Sequence, residues 1–451
     1  MRRTLPREAA PVSLPVTLTI AGSDSGGGAG LQADIQTLTA HETFPTSVVT
    51  GVTAQHTRGV ERSTVLEPGV VAAQYDAIVD DFDVRAAKTG MLGTAEVVET
   101  ARERVATADF PVVVDPVIVT TTGDRLLGER GVDAYEKLIP EAALLTPNHD
   151  EATVLTEVTV EGEVTAREAG KQLVEMGAEA ALVTGGHGGD TVVRDVLVTA
   201  GGSRTFTHPR VETAATHGSG CTLSAAITAN LASGAALESA VEDAIAFVAR
   251  AVRYPHDVGG VAGPVHHLAG LRNDAARVST AETVRDLVSS LRDLGIGPLV
   301  PEVGTNVVGA TSYAETVAET AAVDGRLSRT TTGVEPTGGV RFGASSHLAR
   351  FLLSVREYAP ERRFATNCRV SDETRATLAD LAVPVARFDR RDEPDEASTM
   401  NWAARHVFGD RDERPLVVVD DGAHGKEPMI RVVTETPDQL LAVVRALHPE
   451  R

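Results

Sequence analysis

Along roughly the first 250 residues, short runs of consecutive apolar residues alternate with longer stretches whose apolar positions recur every three or four places. Consecutive apolar residues suit strands covered on both faces, and the wider spacing suits helices with one buried stripe. The runs predict strands at 16–21, 47–53, 112–115, 143–146 and 180–184. Helices are predicted at 29–40, 70–80, 95–105, 166–176, 223–231 and 237–252. Such alternation predicts a mainly parallel, three-layer α/β sheet that collects ligands at the carboxyl ends of its strands.

The pattern breaks after Gly263-Pro264-Val265-His266-His267, and the polar segment 268–279 reads as a linker between a domain at 15–267 and a second at 280–451. The second begins with a predicted helix from Thr280, a suitable N-cap, to Leu294, with Gly295 as its C-terminal cap. Strands at 306–310, 363–368, 383–388 and 416–419 then interleave with helices at 346–357, 371–381, 398–408 and 437–447. This smaller domain is therefore also expected to be α/β. No repeat relates the two halves.

Composition narrows the setting. A chain of 451 residues exceeds one ordinary core. Its two cysteines, Cys221 and Cys368, exclude a disulfide framework and point to a reducing, cytoplasmic compartment. No apolar run approaches the roughly 18 residues that span a bilayer, and the tail 1–15 lacks the apolar core of a signal peptide. The formal net charge of −21 argues against a nucleic-acid surface. Only four lysines occur, so arginine carries the positive charge, and the acidic excess resembles the surfaces of halophile proteins. Low salt is expected to destabilise the chain, and the assembly is expected to be a homo-oligomer.

Candidate chemistry in the first domain centres on His217-Gly218-Ser219-Gly220-Cys221-Thr222, a glycine turn feeding a helix. Unpaired N–H groups of Gly218, Ser219 and Gly220 there suit phosphoryl oxygens, and a helix start lowers the pKa of a thiol, which makes Cys221 a candidate base. The stretch Gly22-Ser23-Asp24-Ser25-Gly26-Gly27-Gly28-Ala29-Gly30 also joins strand to helix, but lacks the Gly-Lys-Ser/Thr of a P-loop. Asp34 and Gln55 suit the edge of an aminopyrimidine or pyridine ring. Asp115, Asn148 and Glu151 lie at or just beyond expected strand ends and suit Mg²⁺ held partly through water and nucleotide phosphates. For Asn148 a helix N-cap is the competing role.

Over about residues 15 to 267 these stretches, with Lys88-Thr89-Gly90-Met91-Leu92, Asp115-Pro116-Val117, Thr146-Pro147-Asn148 and Gly185-Gly186-His187, resemble the bifunctional hydroxymethylpyrimidine/phosphomethylpyrimidine kinases of thiamine synthesis. The resemblance implies a ribokinase-like fold, ATP as donor, and pyrimidine contacts from Gly22, Asp34, Gln55, Met91 and Val117, with Cys221 beside the hydroxymethyl group. One departure is Thr184, where many relatives carry a lysine reaching toward ATP phosphates. A pyridoxal or sugar kinase fits the glycine-turn cysteine less well.

In the second domain, glycines cluster with ionisable groups at 301–306, 325–327, 338–347 and 420–428. Arginines near such turns suit pyrophosphate, and Asp420-Asp421 before Gly422 suits Mg²⁺ or an ordinary turn. From about 280 to 447 the sequence resembles the archaeal-type thiamine-phosphate synthase domain. That resemblance implies Arg326 and His347 as essential residues, with Asn306, Arg341 and Lys426 as further ligand candidates. The expected substrates are the pyrimidine pyrophosphate made by the first domain and hydroxyethylthiazole phosphate. A related alternative is a non-catalytic thiamine-phosphate sensor that regulates the kinase.

Overall fold

The computed structural model describes residues 10, 12–118, 128–186, 191–380, 383–389, 399–409, 414–422 and 427–448, in two compact units that divide between Gly270 and Leu271. Among the described residues the first unit has nine strands: β1 (Val16–Ser23), β2 (Phe44–His56), β3 (Gly59–Val65), β4 (Val84–Thr89), β5 (Val112–Val114), β6 (Leu144–Leu145), β7 (Ala180–Val183), β8 (Val192–Thr199) and β9 (Gly202–Pro209). They form one sheet in the order β3-β2-β1-β4-β5-β6-β7-β8-β9. Strands β2 through β7 pair in parallel, while β3, β8 and β9 are antiparallel additions at the two edges.

The apolar runs work as the pattern requires. Val112 and Val114 enter one core with the helices Ala95–Val105 and Glu129–Leu138, whereas Val113 between them enters the opposite core with Leu223, Ile227 and Val241. Each central strand is thus buried on both faces. After β2 and β3 the chain returns to the other side of β1 to lay down β4, so the strand order reverses between β1 and β4, the place where such sheets collect ligands.

The second unit contains β10 (Val307–Ala310), β11 (Thr320–Val323), β12 (Leu327–Thr330), β13 (Gly333–Pro336), β14 (Val340–Phe342), β15 (Phe364–Arg369), β16 (Val385–Phe388), β17 (Val417–Asp420) and β18 (Met429–Thr434). Seven of these form a sheet in the order β14-β11-β10-β15-β18-β17-β16, and β12 with β13 makes a separate hairpin. Among the described residues only β16 and β17 run parallel within it. Val307, Val417 and Val419 face one core, and Val308 and Val418 face the other.

The segment expected to be a linker is helical. Helices cover Ala269–Ala275 and Arg277–Asp293, and Thr280 lies buried inside the second instead of capping it. Tertiary contacts override the polar composition here. Buried Asn273 donates to Glu319 Oε1 at 2.6 Å and accepts from the Tyr313 N–H, while Arg277 stacks over the Phe342 ring. Gly295, at φ +68°, sits just past the helix as expected.

Candidate active sites

Two glycine turns meet at the carboxyl ends of the parallel strands. Asp24, at the end of β1, accepts from the N–H groups of Gly26, Gly28 and Ala29 at 2.8–3.1 Å and from His217 Nε2 at 3.2 Å. Burial alone would raise its pKa, but the His217, Gly26 and Ala29 hydrogen bonds outweigh burial and hold the carboxyl below the ordinary range. Gly218 has φ +85°, and a Cβ there would overlap the Gly28 carbonyl oxygen. Only glycine lets the turns approach this closely.

Gly218 caps the helix Ser219–Ala232, four residues longer at its start than the apolar pattern predicts. The Ser219 N–H donates to the Thr216 carbonyl and that of Thr222 to Gly218. The Ser219 N–H, expected to face an anion, is therefore spent within the turn.

Beneath the turn lies a buried charge network that the sequence reading missed. Lys88, at 0% exposure, places Nζ 2.8 Å from Asp34 Oδ1 and 3.9 Å from Asp115 Oδ2. Thr19 donates to the other Asp34 oxygen at 2.6 Å, and Ser224 donates to Asp115 Oδ2 at 2.9 Å. Burial alone would depress the Lys88 pKa, but Asp34, with smaller effects from Cys221 and Asp115, holds it above the usual lysine range. Asp115 moves up through burial, opposed by Lys88 and Ser224. Asp34 has no exposed surface, and its two oxygens meet Lys88 and Thr19, so it holds Lys88 under the site.

Cys221 departs from expectation in the direction of its shift. Although part of the residue reaches solvent, burial pushes its thiol up to about 12, against the attraction of Lys88. The thiol is therefore protonated at neutral pH, and desolvation outweighs the lowering expected from a helix start.

Of the pyrimidine candidates, Gly22 lies against Met91 and Gln55 against the His217 turn. A Cβ on Gly22 would strike the end of Met91, so the glycine makes room for that side chain, whose carbonyl is fixed by Thr50 Oγ1 at 2.6 Å. Gln55 reaches His217 Nε2 at 3.3 Å, and Val117 is half-buried just after Asp115.

Asn148 and Glu151 form a reciprocal capping box at the helix His149–Thr156. Glu151 also accepts from the Ile118 N–H at 3.3 Å. Among the described residues no three His, Cys, Asp or Glu side chains form a metal cage. Asp115 and Glu151 fit instead the mode in which phosphates and water supply most Mg²⁺ ligands, because each carboxylate retains acceptor lone pairs. Asn148 spends its oxygen on the Glu151 N–H, so capping is its visible role. Thr184 bonds to the Pro147 carbonyl, and Arg210 reaches the adjacent Gly186 carbonyl at 2.8 Å.

In the second unit, Arg326 and His347 are both exposed, on the loop after β11 and at the start of the helix His347–Arg356. Among the described residues neither side chain has a hydrogen-bonding or ionic partner. Arg341 is engaged with Asp324 at 2.9 Å. Asn306 is corrected from ligand to positioning residue. It is buried, accepts from the Val307 and Val323 N–H groups, and donates to the carbonyls of Val323 and Gly325, pinning the turn that carries Arg326. Asp420 is taken by buried Arg431 and Asp421 by Arg375, so the aspartate pair is structural. Lys426 lies outside the described residues.

The phosphomethylpyrimidine kinase family model matches residues 24–266. The chain belongs to this family. A second family model, thiamine-phosphate synthase ThiN, matches residues 283–446. The hydroxymethylpyrimidine/phosphomethylpyrimidine kinase of Streptomyces coelicolor is 44% identical over 259 residues, covering 57% of this chain and 96% of that one. The thiamine biosynthetic bifunctional enzyme TH1 of Arabidopsis thaliana is 41% identical over 272 residues, covering 58% of this chain and 51% of its own. Among solved structures, the pyridoxal kinase of Staphylococcus aureus in complex with ADP superposes with a TM-score of 0.54 at 31% identity, over 57% of this chain and 94% of that one. The first unit therefore has the ribokinase-like fold, and the chain joins a pyrimidine kinase of thiamine biosynthesis to a thiamine-phosphate synthase domain.

Proposed function

We propose that the first unit transfers phosphoryl groups from ATP twice, first to the alcohol of 4-amino-5-hydroxymethyl-2-methylpyrimidine and then to the resulting monophosphate. The observation that carries this reading is the convergence of the Gly218 turn, the Asp24 loop and the Lys88–Asp34–Asp115 network at one set of strand ends. Gly22, Gln55, Met91 and Val117 would line the ring pocket. The N–H groups of Gly220 and Cys221 would hold the transferred group as charge develops on it. Cys221 would lie beside the alcohol, and its minor thiolate form would take the alcohol's proton as the oxygen bonds to phosphorus. Arg210, near the position where relatives carry lysine, would face the ATP phosphates. Mg²⁺, bound with ATP, would neutralise phosphate charge, with Asp115 and Glu151 holding its water shell. The greater identity to pyrimidine kinases than to pyridoxal kinases favours the pyrimidine.

The second unit would join the pyrimidine pyrophosphate to hydroxyethylthiazole phosphate. The carbon–oxygen bond to pyrophosphate breaks, and the thiazole nitrogen uses its lone pair to form the new carbon–nitrogen bond. Arg326 and His347, both without protein partners among the described residues, would hold the departing pyrophosphate. We place the enzyme in the cytoplasm, as a homo-oligomer. In the full chain, Arg326→Ala and His347→Ala should each remove most thiamine phosphate formation while ATP turnover on the pyrimidine continues. Full synthase activity in both variants would refute these roles. A chain that binds thiamine phosphate, makes none, and changes its kinase rate on binding would establish a sensor.

A further inference from the structure

A cleft of about 300 Å³ opens in the second unit among the loop before β10, strand β12 and the end of β15. Its lining includes Glu302, Gly304, Ser328, Arg329 and Arg369. Arg369 ends β15, and among the described residues its side chain has no hydrogen-bonding or ionic partner. Arg329 spends Nη2 on the Val300 carbonyl at 3.0 Å and keeps its other donors. Gly304 has φ +84°, and a Cβ there would lie 2.9 Å from Arg326 Cδ, so the Arg326 stem rests against the rim. The Glu427 carboxylate accepts from the Glu302 N–H at 3.1–3.2 Å, fixing the loop that carries the exposed Glu302 side chain.

Guanidinium groups in a cleft of this acidic chain mark a phosphate site, because their paired donors match phosphate oxygens. The carboxylate of Glu302 disfavours a bare polyanion there and favours a ligand that also carries positive charge. The synthase reaction has one such molecule. Its thiazole half keeps a phosphate monoester throughout, and its ring nitrogen becomes cationic when the carbon–nitrogen bond forms. We infer that this cleft holds the thiazole phosphate, with Arg329 and Arg369 on the monoester and Glu302 facing the ring that becomes thiazolium. The departing pyrophosphate is then left to Arg326, at the rim of the cleft, and to His347. This inference rests on the synthase reading of the second unit.

The test uses the full chain, with Arg329→Gln, Arg369→Gln and Glu302→Gln. Each arginine variant should raise KM for hydroxyethylthiazole phosphate by about tenfold or more, the scale of one lost charge-assisted pair, and leave KM for the pyrimidine pyrophosphate within about twofold. Calorimetry should show thiamine phosphate binding weakened by a similar factor and unphosphorylated thiamine unaffected. Glu302→Gln should weaken thiamine phosphate but spare KM for the neutral-ring thiazole phosphate, a split that general loss of folding would not produce. Unchanged thiazole phosphate KM in both arginine variants, or a shift confined to the pyrimidine pyrophosphate, overturns the assignment while the synthase stands. A chain that makes no thiamine phosphate yet binds it through Arg369 keeps the cleft and removes the synthase. A chain that neither makes nor binds it removes both.

Discussion

Lys88 shows how much one residue decides. A lysine with no exposed surface is stable only because Asp34 meets it at 2.8 Å and Thr19 meets Asp34. Removing one partner leaves a buried charge uncompensated, which costs about 3–5 kcal/mol, whereas replacing both with apolar residues is often neutral. Lys88→Met should therefore lower the urea midpoint of the first unit sharply, and adding Asp34→Leu should recover most of the loss. A harmless single variant would contradict the pairing. Because the folded pKa of Lys88 is raised, the pair's contribution is complete below the unfolded value of about 10.4 and fades only as pH rises through the folded one. Cys221 gives a second residue-level outcome. With its thiol pushed up to about 12, the thiolate is a minute fraction at neutral pH and grows about tenfold per pH unit. Alkylation of Cys221 should climb without a plateau through pH 9, and Cys221→Ala should depress alcohol phosphorylation more than monophosphate phosphorylation. A plateau near pH 7 would show a lowered thiol pKa; equal losses in the two steps would remove the base role.

At the scale of elements, the helix His149–Thr156 separates capping from metal chemistry. Asn148 and Glu151 bond each other's backbone N–H groups, so both hold the helix start. Asn148→Ala should cost about 1 kcal/mol of stability and leave the Mg²⁺ dependence of turnover unchanged. Glu151→Gln should also raise the Mg²⁺ concentration needed for half-maximal turnover severalfold; an unchanged requirement would leave Glu151 as a cap alone. Which elements the sequence reveals follows from their burial. Strands β5 and β7 are legible because both faces are covered and the residues run apolar without interruption. Strand β4 is not, because Arg85 and Lys88 interrupt it, and the charge that hides the strand is the one that supports the site. The edge strands β3 and β9 are largely exposed and look polar. In the second unit, β12 to β14 are three- or four-residue pieces bounded by glycine, too short to show a period. The glycine turns and exposed Arg326 and His347 are visible as motifs. That the Asn306 amide and the Asp34 carboxylate are engaged inside the protein is visible only once their partners are known.

For the whole molecule, the contact boundary at Gly270/Leu271 fixes where the chain can be divided. A fragment beginning at 268 keeps Asn273 and Arg277, which bind Glu319 and Phe342, and should unfold cooperatively. One beginning at 280 should be markedly less stable, since the buried Glu319 loses its Asn273 donor; equal midpoints would contradict the assignment of Asn273 and Arg277 to this unit. The two activities need different chemistry but share an intermediate, which gives their fusion a direct readout. The decisive measurement supplies the purified full chain, in high salt, with hydroxymethylpyrimidine, Mg-ATP and hydroxyethylthiazole phosphate, and follows products by phosphorus NMR. Thiamine phosphate and pyrophosphate should form together, and omitting the thiazole should halt the sequence at the pyrimidine pyrophosphate. Accumulation of that pyrophosphate with no thiamine phosphate, even when the thiazole is present, would contradict a synthase in the second unit.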